Sequence, residues 1–234
     1  MSLLTNPYWV YPVATGGGTK SIVQSSTPLT LTTGAQTLVV SLSNVTAGNA
    51  LVLTFAQYSP NANDNPVAKD GTTTLPIYYA FTPGGNYSVA GVAYETNVAA
   101  GTHTLTIQAK SGSTAIYACA QLHEIKGITS ATPTVQVSGT TTGATLTLAG
   151  GTPPQSGDLI FTVIADDGNG AGSTATATTP SGYTSLWQEL NGSSYQIGAA
   201  AYQIQTTAAP VAPSWTGLNA AGGAGFAAVA LAFN

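Results

Sequence analysis

The chain has 234 residues, of which 43% are hydrophobic and only 5% charged, with a formal net charge of −4. Ordinary soluble domains carry roughly 25% charged residues, so the polar surface has to be built from Thr, Ser, Asn, Gln and Gly. Arginine is absent and lysine occurs only as Lys20, Lys69, Lys110 and Lys126, which excludes the clustered cations that nucleic acid or an anionic membrane surface requires.

The first predicted element is an extended arm, residues 1–20. In its "NPYWVYPVATGGGTK" stretch, Tyr8, Trp9 and Tyr11 lie between Pro7 and Pro12, and Gly16, Gly17 and Gly18 follow. Proline fixes φ and cannot donate to a central ladder, so the segment reads as extended chain. The glycines read as a hinge. Tyr8, Trp9 and Tyr11 are the predicted assembly anchor, buried against a neighbouring subunit or a larger scaffold. The competing expectation folds the arm back on the first domain. The N-terminus has no positively charged start followed by an apolar run, so no secretory signal is predicted. A particle assembled inside a host cell and freed by lysis fits both that and the Thr/Ser/Gly-rich composition. So does a non-classical secretion route, or prior removal of a signal.

Residues 21–128 and 132–234 read as two copies of one unit, joined by a linker at 129–131. "TTGAQTLVVSLSNVTAGNALVLTF" from Thr32 resembles "TTGATLTLAGGTPPQSGDLIFTV" from Thr141. "NYSVAGVAYETNVAAG" matches "SYQIGAAAYQIQTTAA", pairing Tyr87 with Tyr195 and Tyr94 with Tyr202. "IYACAQLHEI" matches "GFAAVALAFN", pairing Tyr117 with Phe226 and Leu122 with Leu231. In chain order, "TLVVSL" and "THTLTIQA" alternate as half-buried strands, while "NALVLTFAQ" and "DLIFTVIA" are continuously apolar and read as central strands. Turn signals such as Asp70-Gly71, Ser111-Gly112, Ser181-Gly182 and Asn191-Gly192 recur at the spacing of a sandwich. "SLWQELNG" is the best helix candidate, and it is short. The predicted fold class is all-β: two tandem antiparallel β-sandwich domains, jelly-roll-like or immunoglobulin-like, behind the N-terminal arm. The sequence leaves the choice of strand order open.

Chemistry-bearing residues are few. His123 and Glu124 are adjacent in "LHEIKG", and on one strand adjacent side chains point to opposite faces, so they form no dyad. Asp64 and Asp70 share one loop region, and Asp166 and Asp167 open another. Calcium ligation there is the one metal expectation weighed, and neither loop has the spacing of a calcium loop. No nucleophile elbow, metalloprotease helix, P-loop or paired-cysteine motif occurs. Cys119, the single cysteine, reads as a buried hydrophobe. The sequence therefore predicts no catalytic residue, cofactor or metal. Aromatics are the other carriers of function. Tyr58, Tyr78, Tyr79, Tyr87, Tyr183, Trp187 and Trp215 offer flat faces for sugars, and Trp187, Trp215 and Tyr183 are the predicted glycan contacts because the first repeat has no counterpart to either tryptophan.

"AGNALVLTF", "AAGTHTLTIQA" and "YACAQLHEI", with the charge-poor composition, resemble the β-sandwich repeats of bacteriophage virion-surface proteins, of the capsid decoration and head or tail fibre type. That resemblance implies a homo-oligomeric, non-enzymatic structural protein of the virion surface, contacting other capsid or tail proteins and neither nucleic acid nor membrane. The alternative expectation is a carbohydrate-binding module for adhesion to cell-surface glycans. A hydrolase using Asp64 or Asp167 is the third.

Overall fold

The structure is a computed structural model and describes residues 19–85, 87–112, 114–151, 155–167, 174–190, 196–219 and 225–234. Tyr8, Trp9 and Tyr11 lie outside the described residues, as do Tyr195 and the Asn191-Gly192 pair. Every regular element among the described residues is a β-strand. The first half supplies β1 (Ser21–Ser25), β2 (Leu29–Ala35), β3 (Thr37–Val45), β4 (Ala50–Tyr58), β5 (Pro66–Asp70), β6 (Thr73–Thr74), β7 (Ile77–Phe81), β8 (Ser88–Glu95), β9 (Gly101–Ala109) and β10 (Ile116–Lys126). The second half supplies β11 (Val135–Thr141), β12 (Thr145–Thr147), β13 (Leu159–Asp167), β14 (Thr176–Thr178), β15 (Thr184–Glu189), β16 (Gln196–Ile204), β17 (Ser214–Asn219) and β18 (Phe226–Phe233). "SLWQELNG", the helix candidate, lies mostly in β15. Its short helical signal is overridden by the ladder to β16, in which Ser185 faces Ala201 and Trp187 faces Ala200.

Among the described residues all strand pairs are antiparallel, in four sheets. The larger sheets run β1-β10-β4-β8-β7, with β2 also on β10, and β11-β18-β13-β16-β15. The smaller ones run β3-β9-β5-β6 and β12-β17-β14. In each half the opening strand lies beside the closing strand, which lies beside the long apolar one. The turns into β4 and β13 also correspond. Gly48 and Gly157 sit there at φ 85° and 90°, a left-handed conformation that glycine adopts without steric cost.

Among the described residues three buried clusters lie between the sheets. In the first half Leu38, Val40, Leu105 and Ile107 of the small sheet pack on Leu51, Leu53, Phe55 and Leu122 of the large one. In the second half Leu146, Trp215 and Leu218 pack on Ile160, Ile164, Ala228 and Ala230. A third cluster joins the two large sheets to each other: Val52, Ala56, Ala90, Val92 and Tyr94 meet Phe161, Val163, Ala200, Val229, Leu231 and Phe233. The layers therefore run small, large, large, small. A sheet covered on both sides must be apolar on both faces, which is why "NALVLTFAQ" and "DLIFTVIA" show no alternation. Small residues let the large sheets approach closely; a Cβ on Gly198 would stand 2.7 Å from the Ala56 Cβ.

Pairing registers correct one sequence match. Leu122 faces Leu53, and the residue that faces Thr162 in the second half is Ala230. Leu122 therefore corresponds to Ala230 rather than Leu231. A one-residue slip in a strand exchanges its two faces, and Leu231 accordingly belongs to the cluster between the large sheets. The same shift sets His123 at the position of Leu231.

Polar contacts also cross between halves. Lys20 Nζ lies 3.8 Å from Asp158 Oδ1, with both side chains buried. Tyr78 Oη donates to Ser138 Oγ at 3.2 Å.

Candidate functional site

His123 is fully buried on β10 and faces the opposing large sheet, where its ring centroid lies 5.6 Å from that of Phe161. Trp187 Nε1 donates to Thr54 Oγ1 at 2.9 Å, and Thr54 Oγ1 donates to the Gln121 carbonyl at 3.3 Å. This leaves His123 Nε2–H to donate to Thr54 Oγ1 at 3.3 Å, and Nδ1 to accept from Ser25 Oγ at 2.8 Å. A hydroxyl aimed at an imidazole resembles an activated serine. However, burial pushes the His123 pKa down to about 3, and a base that weak removes little proton density from serine near neutral pH. Glu124 points to the other face, as the sequence predicts. It is buried and accepts from Thr46 N at 2.8 Å, Asn49 Nδ2 at 2.6 Å and Gln24 Nε2 at 2.6 Å. Burial raises its pKa, but these donors outweigh it and hold the carboxylate below its usual range. His123 and Glu124 thus fasten strands on opposite faces of one sheet.

The loop acids separate in the same way. Asp64 accepts from Ser111 N at 3.2 Å and Ser111 Oγ at 3.0 Å, closing its loop against the turn after β9. Asp166 is buried on β13, and the Asp167 side chain lies outside the described residues. Asp70 instead meets two groups from distant sequence. It ends β5, where it faces Leu105 of β9, two residues from His103; Glu95 ends β8 in the large sheet. His103 Nδ1 contacts Asp70 Oδ2, and His103 Nε2 donates to the Ala99 carbonyl at 3.0 Å. Burial alone lowers the His103 pKa, yet the Asp70 hydrogen bond, the Ala99 carbonyl and the charges of Asp70 and Glu95 raise it overall. Burial and then the Asp70 charge raise that of Glu95, against a smaller lowering from His103. Glu95 and His103 escape sequence reasoning because Asp70, Glu95 and His103 form no local motif. The only available signal is that His103 lies on a predicted strand and Asp70 in a predicted turn.

Cys119 is buried beside Thr30, and burial pushes its thiol up to about 12, as suits a packing residue. The predicted glycan contacts do not share a surface. Trp187 is 5% exposed and Trp215 0%, and the latter donates Nε1–H to Thr162 Oγ1 at 3.2 Å inside the second core. Neither indole offers an open face to a sugar. Tyr183 is half-buried and lines a recess of about 200 Å³ with Gln203, Gln205 and Pro210. A different aromatic group does assemble: Tyr58, Tyr87 and Tyr117 are half-buried at one end of the first large sheet. The Tyr58 ring centroid lies 6.2 Å from Tyr87 and 6.0 Å from Tyr117.

Compared with known proteins, the chain matches no family model and no curated protein.

Proposed function

We propose that this protein is a non-enzymatic structural component of a bacteriophage virion, decorating the capsid or forming part of a fibre, and attached through the arm bearing Tyr8, Trp9 and Tyr11. The observation that carries a structural role is the buried seam between the large sheets. It makes residues 21–128 and 132–234 one apolar-cored block, while the outer small sheets carry Thr and Ser on their exposed faces. Such a surface stays hydrated with little dependence on salt, because it has few charges to screen. Each half is a jelly-roll-like sandwich. With β1 and β2 counted as one strand and β6 and β7 as another, the first half reads 1-8-3-6-5 beside 2-7-4-5, the fifth strand passing from one sheet to the other. Jelly rolls serve in viral shells and in lectins, so the fold fits this role without selecting it. The Lys20–Asp158 pair ties the residue before β1 to the second half. Co-sedimentation of the full chain with native particles tests the reading. Binding should be lost on deletion of residues 1–20 and weakened by Trp9→Ala, and unchanged binding by both variants would sink it.

The second reading is a carbohydrate-binding module, favoured by the half-exposed Tyr58–Tyr87–Tyr117 cluster. Aromatic rings that are apolar on the face and polar at the hydroxyl suit recognition of this kind. Glycan-array binding that disappears with Tyr87→Ala and survives Trp187→Phe would select it.

A further inference from the structure

Asp70, Glu95 and His103 each direct a ligand atom into one cluster, within 4.8 Å of one another. We propose that they form a binding site for a divalent transition-metal ion of the zinc, manganese or iron(II) class. The argument begins with the ring of His103. Its Nε2 is committed as a donor to the Ala99 carbonyl, so the neutral imidazole turns the bare lone pair of Nδ1 on Asp70 Oδ2. Two lone pairs in contact repel unless a cation lies between them. A proton serves that purpose in the metal-free protein, and a divalent ion is the other species that can. Donation of the remote ring N–H to a carbonyl is also the arrangement that fixes a metal-bound imidazole.

The other two ligands complete the match. Glu95 Oε2 is shut off from solvent with no hydrogen-bond partner, leaving an acceptor unused. Two carboxylates and a neutral imidazole carry two negative charges, which one divalent ion balances. The nitrogen ligand favours transition metals over calcium and magnesium, which prefer all-oxygen sites. Bonds of about 2.0–2.2 Å set ligand atoms roughly 3–4 Å apart, a span close to that of the three groups as they stand, within 4.8 Å of one another. His103 and Asp70 side chains keep 12% and 17% exposure, which leaves an entry path and room for water as a further ligand. Asp70 and His103 belong to the small sheet and Glu95 to the large one. The ion would therefore clamp the two sheets of the first half at one end.

The test uses chelator-treated full-length protein and zinc chloride, followed by calorimetry and by NMR of the imidazoles. The chain has only two histidines, so buried His123 is an internal control. Expected results are one ion per chain, a shift of the His103 resonances alone, and a higher melting temperature with zinc. Glu95→Gln should weaken binding about tenfold or more, and His103→Gln should remove the stoichiometric site. No stoichiometric binding, or binding that leaves the wild-type His103 resonances unmoved, overturns the proposal whether or not the variants fold.

Discussion

Replacing His123 with leucine, the residue at the corresponding position of the second half, should flatten the acid limb of the stability profile. The imidazole pKa falls from 6.5 to about 3 on folding because its charged form has no water around it. The unfolded chain therefore binds the proton more tightly. Stability from this group is present above pH 6.5 and is lost progressively as pH falls toward about 3. Each pH unit in that window is worth about 1.4 kcal/mol, so near pH 4.5 the wild type has lost about 2.7 kcal/mol from His123 alone. His103 and Glu124 titrate in both proteins and cancel in the difference. Near neutral pH the substitution should be mild, because Ser25 is exposed and can turn to water, while Thr54 keeps Trp187 and the Gln121 carbonyl. Urea unfolding at several pH values from about 7.5 to 4.5 gives the comparison directly, with midpoints and slopes converted to free energies. Parallel pH profiles for wild type and His123→Leu would refute the assignment of a buried neutral imidazole.

The remaining expectations concern packing and reactivity. Gly198→Ala places a methyl 2.7 Å from the Ala56 Cβ and 2.8 Å from the Ile164 carbonyl, and should cost about 1–3 kcal/mol by wedging the large sheets apart, read as a lower melting temperature. Phe161→Ala, at the centre of the seam, should cost about 3–5 kcal/mol in urea unfolding. Glu124→Gln removes the charge from a carboxylate with three donors and should cost about 1–3 kcal/mol, with a stability loss at neutral pH that shrinks on acidification. Cys119, with its thiol held near 12, should resist iodoacetamide in the native protein and react only after unfolding, as mass spectrometry can follow.

The sequence by itself determined the all-β class, the alternating outer strands, and the repeat that places the same strand neighbours in both halves. These depend on local physics: alternation, β-branched content and turn glycines such as Gly48 and Gly157 act over a few residues. It also marked "NALVLTFAQ" and "DLIFTVIA" as central strands, and it separated His123 from Glu124 by strand geometry alone. The tertiary structure decided what covers those strands. Nothing local says that the second face of β4 meets Phe161 and Trp187 from a hundred residues away, so the sequence offers both tryptophans as glycan contacts when they are core. The register of β18 was likewise beyond the sequence, because "AAVALA" is apolar on both faces and a slip of one residue changes no pattern. The Asp70–Glu95–His103 cluster was out of reach for a related reason. Three strands in two sheets bring its members together, and only the packing of those sheets turns three scattered polar residues into one site.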